Sequence, residues 1–120
     1  MHPLVLLSAL YLAIDYIWVG LLSKSMWQDN VLAIQNSPLT ANMLYAALSY
    51  GLLIYGLWAL IVEPGAPLWK AALYGLVVYG VFDLTNLAIF KNYSRAVGLL
   101  DMLWGAAVCT AVTALFRKLA

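Results

Sequence analysis

The chain has 120 residues, enough for a single domain, and 66% of them are hydrophobic against only 9% charged. A soluble domain carries about 25% charged residues, so too little polar surface remains to keep this chain dissolved in water. The net charge of +1 offers no basic face for nucleic acid, the lone Cys109 excludes an internal disulfide, and the lone His2 leaves no Cys/His zinc set.

The first apolar run covers residues 4–22. It has no basic segment before it and no small-residue cleavage site after it, so it reads as a retained helix rather than a signal peptide. Its stripe Tyr11, Asp15 and Trp18 follows i, i+4, i+7 spacing. A polar connection follows, with Lys24, Asp29, Asn30, Gln35, Asn36 and Pro38; its "NVLAI" core predicts a short interfacial helix. The second run, residues 40–62, carries Asn42, Tyr45 and Ser49 at i, i+3, i+7. "VEPGAP" is a strong turn signal, and the third run covers residues 68–90 with Tyr79, Asp83, Thr85 and Asn86. The short basic link "KNYSR" leads to the fourth run, residues 96–116, with Asp101 and Trp104 at i, i+3.

Each run is close to the ~20 residues that cross a hydrocarbon core of roughly 30 Å as a helix. The runs are continuous rather than alternating, which disfavours strands. Short links make neighbours antiparallel. The expected fold is all-α: an integral membrane, antiparallel four-transmembrane-helix bundle forming one domain, multi-pass in the bilayer. Trp27, Trp69 and Tyr93 fall where interfacial aromatics belong.

Three acids lie inside the predicted spans: Asp15, Asp83 and Asp101. Spans one and three end on the membrane face where spans two and four begin. At 1.5 Å per residue all three acids sit roughly 8–11 Å below that face. A carboxyl facing lipid is costly, so the stripes should turn inward and meet. Spans one and three share the pattern Y-x3-D-x2-[WN], a hint of repetition. Lys24, Lys91 and Arg95 lie just outside the acids as candidates for an anionic headgroup, and their stems could also snorkel toward the carboxyls. Three Lys/Arg on each face leave the orientation unassigned. Gly51 with Gly56, and Gly75 with Gly80, are spaced by five and hint at close helix approach.

The segments "DYIW", "FDLTNLA" and "DMLWG", in that order, resemble the signature of a family of small four-helix integral membrane proteins, domain of unknown function 2177. The resemblance extends over essentially the whole chain. It covers Asp15, Trp18, Asp83, Leu84, Thr85, Asn86, Asp101, Trp104 and Gly105. It implies the fold and the membrane location and implies no activity.

Two functions compete. One is a membrane-embedded polar pocket that binds or moves a proton, a small cation or a compact amphiphile. Its candidate residues are Asp15, Trp18, Ser49, Tyr79, Asp83, Thr85, Asn86, Asp101 and Trp104. The other is a non-transporting role, holding a lipid or serving as an accessory subunit, with the polar residues joining helices at ~0.6 kcal/mol per hydrogen bond. A lipid enzyme using Mg²⁺ on the oxygen ligands lacks a nucleophile–base pair. No catalytic residue, metal or cofactor is therefore expected. The expected partners are the bilayer, with a bound lipid or small cation and a homo-oligomer as further candidates.

Overall fold

A computed structural model describes residues 2–120. Five helices account for nearly all of it: α1 Pro3–Leu22, α2 Lys24–Gln35, α3 Met43–Val62, α4 Leu68–Ile89 and α5 Arg95–Leu119, with no strand among the described residues. Four of them, α1, α3, α4 and α5, are long and apolar enough to cross a membrane. The expected spans are reproduced with small shifts at their ends.

Local chemistry sets those ends. His2 accepts the Leu4 N–H at 3.1 Å, and Pro3 starts α1 where its missing N–H costs nothing. α3 starts at Met43 rather than near residue 40 because Asn42 caps it, accepting from Leu44 N at 3.1 Å and Tyr45 N at 3.3 Å. Ser94 caps α5 through Val97 N at 3.3 Å. α5 runs past residue 116 because Arg117 and Lys118 suit the negative end of its dipole. The interfacial helix predicted around "NVLAI" is longer than that core, beginning at Lys24 and ending at left-handed Asn36.

α1 closes in a π-helical turn over Ile17–Leu22, and both Ser23 N and Ser23 Oγ bond Trp18 O at 2.7 Å. α3 likewise closes in a π turn over Trp58–Val62. There the Arg117 guanidinium of α5 bonds Ile61 O at 3.3 Å and also Ala66 O, so the "VEPGAP" turn is clamped from the side.

α4 and α5 form the tightest pair, and α1 packs against α5. The pairing of α4 with α5 depends on two glycines. A Cβ on Gly75 would strike the backbone of Gly105, and a Cβ on Gly105 would strike the Tyr79 ring. Of the glycines expected to mark close approach, Gly75 does so against Gly105 and Gly56 against Tyr74, whereas Gly51 has open space beside it. Leu7, Tyr11, Leu57, Ala71, Val108 and Val112 fill the core completely shielded, while the outward faces are apolar too, as in Leu52 at 77% exposed. An apolar outside is expected when lipid, not water, is the solvent.

α3 is held unevenly. Its buried residues, Ile54, Leu57 and Ile61, all lie in the half remote from the acids. Tyr74 bonds Leu53 O at 2.8 Å, coming close because Gly56 has no side chain. The other half, from Met43 to Ser49, stands away from its neighbours, with Met43 73% and Tyr45 68% exposed.

Candidate functional site

Asp15, Asp83 and Asp101 are buried, at 3%, 0% and 5% exposure. Each is stationed by a different helix, and their surroundings differ. Asp15 of α1 accepts Trp104 Nε1–H at 2.8 Å on Oδ1 and the Tyr50 hydroxyl on Oδ2. Both its oxygens thus have donors, and α1, α3 and α5 meet there. Asp83 of α4 accepts the Tyr93 hydroxyl at 2.7 Å on Oδ1. Its Oδ2 is buried and meets no N–H or hydroxyl donor. Asp101 of α5 is its acidic neighbour.

Aromatic rings frame the acids. Trp18 and Trp104 stack at 5.6 Å and 20° between planes. Trp104 spends its N–H on Asp15, whereas the Trp18 N–H is buried beside Asp101 without a hydrogen bond of good geometry. The Tyr11 and Tyr79 hydroxyls bond each other, so the tyrosines of the two Y-x3-D patterns meet across α1 and α4. Tyr93, in the link before α5, packs edge-on against Trp27 of α2 at 6.4 Å. Burial, and then its bond to Asp83, push the Tyr93 phenol above its ordinary range. Asn86 flanks the same hydroxyl.

The unattached half of α3 leaves a cleft of about 780 Å³ between α1, α2, α3 and α4. Its walls are largely apolar, from Val19, Val31, Leu53, Val78 and Phe82. Asp15 and Asp101, although almost wholly buried, line it with their few exposed atoms, as do Ser49, Tyr50 and Tyr79. Lys24 and Gln28 of α2 also line it.

Of the residues expected from sequence, the structure gathers Asp15, Trp18, Tyr79, Asp83, Asn86, Asp101 and Trp104 into one cluster. Ser49 lines the cleft without a hydrogen bond to the acids. Thr85 is exposed on the outer face and is not in the site. Two residues beyond Asp83 is about 200° around a helix, which turns Thr85 away. Asn42 and Tyr45 do not reach the acid level from inside, because the first is a cap and the second points outward. Lys91 and Arg95 are exposed, and the acids' donors are tyrosine and tryptophan rather than Lys or Arg.

Sequence reasoning missed Tyr50 and the role of Tyr93. Tyr50 begins the inward stripe Tyr50, Ile54, Leu57 and Ile61, spaced i, i+4, i+7, i+11. Because three of its four members are apolar, a search for polar spacing passes over it.

A family model described as a predicted membrane protein, DUF2177, matches residues 2–116. No curated protein and no solved structure matches the chain.

Proposed function

Since the chain belongs to the DUF2177 family of predicted membrane proteins and is an integral, multi-pass protein in a lipid environment, we propose that it binds a compact amphiphile in the cleft beside α3. The reading is carried by one observation: a largely apolar cavity of about 780 Å³ whose lining includes the carboxyls of Asp15 and Asp101. That volume falls in the range of small-molecule sites, about 300–1,000 Å³, which combine apolar walls with a few convergent polar groups. A ligand with an apolar body and a short polar head matches both parts. The body lies against Val19, Val78 and Phe82, and the head meets Asp15 and Asp101.

The test is saturable quenching of tryptophan fluorescence by a short-chain brominated alcohol in reconstituted protein. Trp27 lines the cleft, and Trp18 and Trp104 flank its acids. Quenching should saturate in the parent protein and disappear in Ala46→Phe, which fills the cleft. Quenching that is linear with probe and the same in both proteins would sink the reading.

A second, non-transporting reading has its own support. Asp15 has a donor on each oxygen and joins three spans, as a purely structural residue does. On that reading the cluster fixes the fold of a lipid-holding or accessory protein, and the cleft is where a bilayer lipid or a partner helix rests.

A further inference from the structure

α2 borders a second hollow on another of its faces. Lys24, Trp27, Gln28 and Val31 line the cleft, whereas Met26, Asp29, Asn30 and Ala33 line a separate space of about 320 Å³ at the start of α5. Each set runs i, i+3, i+4, i+7, and the two spaces share no residue. Because α5 is a candidate membrane span, its first turn lies at the level of lipid headgroups.

Unspent donors gather in this hollow. Asn30 is 4% exposed, and its Oδ1 accepts the Ser94 N–H at 2.8 Å. That bond fixes which end of the amide is nitrogen, and Nδ2 is buried with no acceptor. Nearly all buried N–H groups in native proteins are paired, so Asn30 calls for an acceptor from outside the chain. Ser94 spends its Oγ on Val97 N and its carbonyl on Gly98 N. The N–H groups of Arg95 and Ala96 are left without an acceptor among the described residues, as first-turn amides are. Donors at the positive end of a 25-residue helix suit an anionic oxygen. The Asp29 carboxylate lines the same hollow and has the opposite requirement, a cation.

We propose that this hollow holds a lipid headgroup in which a phosphodiester is joined to a primary ammonium, the phosphoethanolamine class. The phosphate oxygens take Asn30 Nδ2–H and the first-turn amides, and the ammonium takes Asp29. A volume of about 320 Å³ is at the lower end of small-molecule sites, which suits a headgroup. An anionic head without an amine leaves Asp29 facing like charge. A choline head brings no N–H to the carboxylate, whereas a primary ammonium brings three.

The experiment is native mass spectrometry of the full chain in detergent, equilibrated with equimolar phosphatidylethanolamine, phosphatidylglycerol and phosphatidylcholine of identical chains. One lipid should be retained, and the ethanolamine form should lead both others. Asn30→Asp keeps the oxygen that holds Ser94 N–H and removes only the free donor, so retention should fall about tenfold, the loss of one charge-assisted hydrogen bond. Asp29→Asn, at an exposed position, should keep a lipid but erase the preference for ethanolamine over glycerol. Ala46→Phe, which fills the cleft, should change nothing, so this inference and the amphiphile reading fail separately. Equal retention of the three lipids, or the glycerol form leading, would overturn the headgroup class. A preference unchanged in both Asn30→Asp and Asp29→Asn would overturn the site. Displacement of the lipid by equimolar glycerophosphoethanolamine or inorganic phosphate would place the ligand in water and overturn the lipid source. The preference of the parent chain needs no variant, so misfolding of Asn30→Asp would not protect the proposal.

Discussion

Trp104 of α5 donates its indole N–H to Asp15 of α1 at 2.8 Å across 89 positions of sequence, and Tyr50 of α3 takes the other oxygen of the same carboxylate. One carboxylate therefore joins three spans, and losing any donor leaves part of its charge unsatisfied in a medium without water.

Trp104→Phe and Tyr50→Phe should each lower stability, and a double-mutant cycle of Asp15→Asn with Trp104→Phe should give a coupling of about 0.6–1.7 kcal/mol. Reversible unfolding in mixed detergent measures it. A coupling near zero would mean that the indole–carboxylate contact contributes nothing to the packing of α1 on α5.

Gly75→Ala should destabilise by about 1–3 kcal/mol, because its new methyl must push the backbone of Gly105 aside. Gly51→Ala is the matched control, since a Cβ there meets nothing within 4 Å. Thermal unfolding of the two variants should separate them clearly; equal behaviour would disprove the close approach of α4 and α5.

Raising pH should weaken the fold through Tyr93. Its phenol is held above the ordinary value of about 10 by burial and by the bond to Asp83. The unfolded chain loses that proton first, so the contribution is complete below about pH 10 and is lost as pH rises further. Tyr93→Phe should flatten this alkaline loss and should itself be less stable near neutrality, because Asp83 Oδ1 loses its donor. Stability against pH for both proteins, from pH 7 upward, is the measurement; parallel curves would refute it.

Cysteine labelling should map the cleft. In a Cys109→Ala background, Ser49→Cys should react with a charged thiol reagent added to proteoliposomes that expose the α2 side, and Ala46→Phe should slow it. Thr85→Cys, on the outer face against lipid, should stay unreacted. Equal reactivity at both positions would place Ser49 outside any cleft.

The spans and the inward turn of the three acids were legible in the chain because lipid leaves few choices. Twenty apolar residues with an internal Asp can only be a helix whose Asp turns inward. The patterns around Tyr11–Asp15 and Tyr79–Asp83 read only as a hint of repetition, and the bond between their two tyrosines was not foreseen. The error fell on α3, where the polar stripe Asn42, Tyr45 and Ser49 suggested the inward face. In α3 nearly every residue is apolar, so periodicity carries little signal, and the inward side was decided by packing around Gly56 and Tyr74 instead. Thr85 was included for its chemistry, although helical geometry sets it opposite Asp83. Tyr93 was read as an interfacial anchor because nothing in "KNYSR" reveals that the link folds back over Asp83.

The clamp on α3 at Ile61 and Ala66 has a consequence at the far end of the same helix. A rod fixed by Arg117 near one end, and with little side-chain packing near the other, concentrates its thermal displacement at the loose tip. Small bending at Leu57 becomes a larger lateral excursion at Met43, so the width of the passage beside Ser49 is governed from the opposite side of the bilayer. Arg117→Gln should therefore loosen amide protection along the whole of α3, including the backbone around Tyr50, which Arg117 does not touch.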